Sequence, residues 1–189
     1  RALTLNNIDT PALTINPAAL LTASGNASPV TVSVGQVLTF YYSVTNSGGA
    51  AANNVLPVVV KQGSAAAGTS LLSAPAAANI AISGNQVFTY TYSATSPGIV
   101  AFSATAIGTD GLNPALQVSS AFSLSNSITA QSGAALSASI LPLPVQQSLG
   151  GRITVVLSVT NTGQAGANNI APALTLTAGS TGQLTVIAT

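Results

Sequence analysis

The sequence predicts an all-β chain of tandem β-sandwiches, the second of them incomplete in the residues given. Three observations carry that prediction. Apolar and small polar residues alternate with period two through most of the chain, turn signals of Asn, Gly and Pro separate the alternating runs, and one strand–turn–strand unit occurs twice.

The duplication is the firmest of the three. Residues 43–57 read SVTNSGGAAANNVLP, and residues 158–172 read SVTNTGQAGANNIAP. With Val34 set against Leu149 the offset is 149 − 34 = 115 residues, and 12 of the 24 positions from 34 to 57 are identical without a gap. A period of that length is the size of a domain, so it implies tandem domains and not a short-repeat solenoid.

The elements follow in chain order. In VLTFYYSVT, Leu38, Phe40, Tyr42 and Val44 share one face, with Thr39, Ser43 and Thr45 on the other. The second copy, RITVVLSVT, puts Ile153, Val155, Leu157 and Val159 in the same phase. After each strand, Asn46-Ser47-Gly48 and Asn161-Thr162-Gly163 suit a turn, because Asn bonds nearby backbone and Gly accepts positive φ. SAAAGTS from Ser64 and APAAANI from Ala74 read as small-residue loops. Phe88, Tyr90, Tyr92 and Ala94 form the next inward set, then Val100, Phe102, Ala104 and Ala106 after the Ser96-Pro97-Gly98 turn. Asp110-Gly111 and Asn113-Pro114 turn the chain into LQVSSAFSL, with Leu116, Val118, Phe122 and Leu124 expected in phase. About seven short strands in about 110 residues predict an immunoglobulin-like sandwich.

The stretch VGQVLTFYYSVTNSGGAAANNV resembles the CARDB-type and related Ig-like repeats of prokaryotic secreted surface proteins. The resemblance implies tandem Ig-like modules of adhesins, stalks and envelope proteins, and it brings no catalytic residues with it. The expected organisation is an N-terminal extension over residues 1–11, a sandwich over 12–129, a linker over 130–134 and a partial second domain over 135–189. Three readings of that partial domain stand open: a fragment of a longer protein, a half-domain completed by strands of a neighbouring subunit, or a smaller domain of about four strands. Leu3, Leu5 and Ile8 in the extension make it a candidate donor strand. The chain begins at Arg1 without Met or signal peptide, which reads as a mature or excised segment.

Composition narrows the function. Charged residues are 3% of the 189, where a soluble domain has about 25%; they are Arg1, Asp9, Lys61, Asp110 and Arg152. Disorder does not explain this, because the chain is 47% hydrophobic. Three scattered cations cannot form a phosphate-binding patch, so nucleic acid is not an expected partner. A net charge of +1 gives little repulsion between copies, which favours self-association into a homopolymer or a coat of glycans. No apolar run approaches the roughly 20 residues of a membrane helix, so no membrane span is expected.

The chain has no Cys, His or Glu, and Asp9 and Asp110 are too few for a carboxylate dyad or a calcium site unless the fold joins them. No catalytic residue, cofactor or metal is therefore expected. Asp110 before Gly111 suits a turn. Lys61 ends an apolar strand, where it guards an edge or, with Asp110 nearby, is a remnant of isopeptide chemistry. Asn26-Ala27-Ser28 is a glycosylation sequon on an expected loop, and Tyr41 points away from the inward set. Two functions fit: a structural subunit or segment of an extracellular filament, stalk or surface layer, or an adhesin module that binds glycan or protein through its loops.

Overall fold

A computed structural model describes residues 14–66 and 68–175. Every regular element in them is a strand: β1 (Leu21–Ser28), β2 (Thr31–Ser33), β3 (Val37–Asn46), β4 (Ala52–Gln62), β5 (Thr69–Ser73), β6 (Ala78–Ile80) and β7 (Asn85–Ala94). There follow β8 (Gly98–Asp110), β9 (Gln117–Ser119), β10 (Ser123–Leu124), β11 (Ile128–Gln131), β12 (Leu136–Leu143) and β13 (Thr154–Asn161). The chain divides into two compact units between Gly133 and Ala134.

The first unit is an immunoglobulin-like sandwich. One sheet has the order β1-β3-β7-β5, and the other runs β2-β11-β8-β4-β6, with β9 and β10 also pairing β8. Four strands facing a β11-β8-β4 centre is the immunoglobulin arrangement, here with the short β2 and β6 added at the edges. The inward faces are those the alternation predicts. Leu38, Phe40, Tyr42 and Val44 are buried from β3, Phe88, Tyr90, Tyr92 and Ala94 from β7, and Val100, Phe102, Ala104 and Ala106 from β8. Aromatic rings span the gap between the sheets: Phe40 and Phe102 stack at 5.1 Å, and Tyr92 meets Phe102 at 4.7 Å. Burial of these rings supplies the main driving force for folding this unit.

Three expectations need correction here. The stretches expected as small-residue loops carry strand: Thr69 and Ser70 begin β5, and Ala78–Ile80 form β6. Ala130 and Gln131, expected in the linker, belong to β11, and Ala130 is buried. Most tellingly, Phe122 and Leu124 do not point inward; they are 63% and 53% exposed, while Ser120 and Ser125 are buried.

The cause is a pair of bulges. Ile107 pairs with Ser119 and Ala104 with Ser123, so three residues oppose two; Ser103 pairs with Leu124 and Val100 with Ile128, and the same happens again. At each bulge a serine hydroxyl takes over as the ladder partner. Ser120 Oγ accepts the Ala106 N–H at 3.0 Å, and Ser125 Oγ accepts the Phe102 N–H at 2.9 Å. Each register slip reverses the side-chain phase.

The second unit has two strands among its described residues, β12 and β13, paired antiparallel. Its register is that of the first unit moved by the repeat offset: Leu21 pairs with Asn46, and Leu136 with Asn161. The backbone detail repeats as well. Gly35 and Gly150 have φ of 92° and 83°, and Asn54 and Asn169 have φ of 51° and 55°. The left-handed region admits Gly freely and Asn better than most residues, which gives the repeated glycine and the second Asn of each NN pair a physical reason. In the first unit, Asn54 lies within the β4 irregularity between Asn53 and Leu56.

Candidate functional site

Asn46 and Asn161 act as clamps that replace backbone with side chain. Asn46 Oδ1 accepts the Leu20 and Gly48 N–H groups at 3.1 Å each, and its Nδ2 donates to the Ala50 carbonyl at 2.8 Å. Asn161 reproduces this with the Ala135 and Gly163 N–H groups, at 3.1 and 3.0 Å, and the Ala165 carbonyl at 2.8 Å. Gly48 does not take the positive φ expected of it; it is obligatory because the chain passes so closely that a Cβ there would lie 2.2 Å from the Ala18 carbonyl oxygen. Asn46 is fully buried and donates to the Ile80 and Ala81 carbonyls as well; Asn161 is exposed.

The structure separates Lys61 and Asp110, which the isopeptide reading put together. Lys61 pairs in register with Phe102, and Asp110 pairs with Ala52 at the far end of the same ladder. Phe102 and Asp110 stand eight residue steps apart on β8, about 26 Å at ~3.3 Å per residue, so an isopeptide partnership of Lys61 and Asp110 is ruled out. Lys61 Nζ instead donates to the Thr69 carbonyl and ties β4 to the start of β5.

Asp110 is buried and organises a corner. Its carboxylate accepts the Ala19 N–H at 2.7 Å and the Leu112 and Asn113 N–H groups at 2.9 Å each. The Ala19 N–H does most to hold this carboxyl below its ordinary range. Burial pushes the other way, and the bonds from Asn113 and Leu112 add to the lowering. Burial likewise pushes the Tyr90 hydroxyl up to about 12, with Tyr92 and Tyr42 adding to the shift, while that hydroxyl donates to the Pro57 carbonyl at 2.8 Å.

Asn26 lies within β1, opposite Tyr41 of β3, and not on a loop; its side chain is exposed. Tyr41 is 42% exposed. Leu3, Leu5, Ile8 and Asp9 lie outside the described residues.

The two outer faces of the sandwich differ in chemistry. Outside the β1-β3-β7-β5 sheet, Ser24 aligns with Ser43, Asn26 with Tyr41 and Thr89, and Ser28 with Thr39 and Thr91, a mainly hydroxyl surface. Outside the opposite sheet stand Val58 and Val60, each 55% exposed, with Phe122 and Leu124 across β8. The phase reversal at the bulges creates this apolar face, and alternation alone carries no signal for it. Among the described residues no group of three His, Cys, Asp or Glu side chains comes together.

No protein-family model matches the chain, and no curated protein matches it. Solved structures share its fold at low identity. The CARDB domain of a Pyrococcus furiosus protein, solved in complex with di-metal ions, is 15% identical with a TM-score of 0.41; the match covers 66% of this chain and 99% of that one. A native alpha-2-macroglobulin from Escherichia coli, spanning domain MG7 to the C-terminus, is 18% identical with a TM-score of 0.48; the match covers 67% of this chain but 19% of that one. A PapD-like domain of human CEP192 is 11% identical with a TM-score of 0.40, covering 70% and 98%.

Proposed function

We propose that this chain is a structural module of an extracellular filament, stalk or surface layer, and that it self-associates through sandwich contacts. The observation that carries the reading is the surface. Five charged residues serve all 189, and large apolar side chains stand exposed in both units. Isolated soluble proteins normally surround such side chains with charge, and an uncharged surface with apolar faces marks a contact region.

Strand addition between subunits belongs to the same reading. Among the described residues, β13 pairs only with β12, whereas its counterpart β3 lies between β1 and β7. A strand edge can accept an added strand, and the segment holding Leu3, Leu5 and Ile8 is the proposed donor.

Sedimentation velocity over a hundredfold concentration range, with negative-stain imaging of the most concentrated sample, tests the proposal. Association that rises with concentration is the expected result. A monomer at every concentration would overturn it. The second reading, an adhesin module, is favoured by Tyr41 standing exposed among hydroxyl groups, a surface suited to a sugar ring. Glycan-array binding that Tyr41→Ala abolishes would replace the first reading with the second.

A further inference from the structure

We propose that the apolar outer face over β4, β8 and β10 is a self-docking surface that packs against the same face of a second copy. The inference rests on the self-association reading and assigns it a surface.

Shape is the first argument. Val58 and Val60 on β4 form one ridge. Leu124 on β10, with Phe122 two residues before it, forms another. Between them runs β8, whose outward side chains opposite those ridges are short: Ser103 lies between Val60 and Leu124, and Thr105 lies opposite Val58. Two strand spacings, about 9.6 Å, separate the ridges. That is a trough with a wall on each side, and a two-fold axis set over it places the ridge of each copy in the trough of the other. Such an isologous contact closes on itself and needs no second surface.

The floor of the trough is already satisfied. Ser103 is 1% exposed, donates to the Val60 carbonyl at 3.2 Å and accepts from Gln62 Nε2 at 3.1 Å. Covering it therefore strands no hydroxyl.

Charge selects the occupant. The face carries no charged residue, and the two in the described part of this unit are engaged elsewhere, Lys61 on the Thr69 carbonyl and Asp110 in its corner. A partner with an ordinary surface would lose the hydration of its own ions against this face; a second copy brings none. The four side chains, 53–63% exposed, make a small patch, so the contact is of the weak, concentration-dependent kind, below the ~1,000 Å² of a stable interface. The opposite face of each sandwich, rich in hydroxyls, then stays in water.

The two bulges supply the origin of the surface. Without the slips at Ser120 and Ser125, Phe122 and Leu124 would keep the inward phase the sequence suggests. Bulges of this kind re-aim side chains for use.

The test uses the full chain. Val60→Lys with Leu124→Lys should weaken association at least tenfold by sedimentation equilibrium, whereas Val87→Lys, an apolar-to-charged change on the opposite face, should leave it unchanged. The chain has no Cys, so Phe122→Cys gives a clean second readout: the variant should form a reduction-sensitive dimer that Val87→Cys does not form, even if the lysine variant fails to fold. Undiminished association of a folded lysine variant, without the Phe122→Cys dimer, would overturn the face and leave the structural reading standing. A monomeric parent chain would overturn both. A monomer whose Phe122→Cys thiol resists a maleimide would mean that the chain covers the face itself, which also overturns the proposal.

Discussion

Strands β3 and β13 carry the same motif, pair in the same register and end in the same asparagine clamp, yet their surroundings differ. Phe40 and Tyr42 are fully buried, while Val155, the counterpart of Phe40, is 40% exposed and Leu157, the counterpart of Tyr42, is half-buried. The pair β1–β3 and the pair β12–β13 show that turn, register and backbone conformation are local properties, reproduced wherever the sequence recurs. Burial is not local. It comes from the facing sheet, which among the described residues only the first unit has.

The inward faces of the two hairpins also exchange volume. Where the first has Gly25 against Tyr42, with Phe40 alongside, the second has Ile140 against Leu157, with Val155 alongside. A Cβ at Gly25 would lie 2.9 Å from Phe40 Cε2, so the glycine accommodates the aromatic ring, and the smaller residues of the second hairpin leave room for Ile140.

The comparison can be broken most decisively at the rings. Phe40→Ala should destabilise the first unit by about 3–5 kcal/mol in urea unfolding, and Val155→Ala should cost about 1 kcal/mol or less, because Val155 is 40% exposed. Equal costs would mean that the two strands share one environment. The clamps offer a sharper test. Asn46→Ala leaves buried backbone groups unpaired and should cost about 3 kcal/mol, whereas water replaces the lost bonds of Asn161→Ala at a cost of about 0.5–1 kcal/mol. Gly25→Ile should cost about 1–3 kcal/mol by overpacking, and the same change made in a Phe40→Val, Tyr42→Leu background, the set found in the second hairpin, should cost less. An undiminished cost in that background would refute the volume exchange.

The titratable groups of the first unit give the mildest effects. The folded-state pKa of Asp110 is lowered, so its contribution is present above the unfolded value near 3.9 and fades as pH falls through the folded one. Acid titration of stability should therefore slope below about pH 4 in the parent and flatten in Asp110→Asn. Tyr90 has the opposite sign: its contribution is complete below about pH 10 and is lost as pH rises toward about 12, a loss Tyr90→Phe should remove.

Much of the first unit was legible in order. Alternation gave the inward residues of β3, β7 and β8, because a half-buried strand imposes period two on its own sequence. It held at Val118 and failed beyond it, where two one-residue insertions reverse the phase and Ser120 and Ser125 turn inward to bond backbone. Nothing in SSAFSLSNS marks those serines as ladder partners, since the groups they serve, the Ala106 and Phe102 N–H, belong to another strand. Lys61 and Asp110 failed for a related reason: both lie on or beside the β4–β8 ladder, and only its register puts them at opposite ends.

By itself the sequence determined what depends on neighbours within a few residues: the strands, the Asn-Gly turns, the left-handed Asn and Gly, and the duplication that repeats them. The tertiary structure alone decided which side chains meet across sheets, where bulges reverse a face, and which of two equivalent strands is covered. Those outcomes depend on pairing between segments far apart in the chain, and a shift of one residue in that pairing exchanges the interior for the surface.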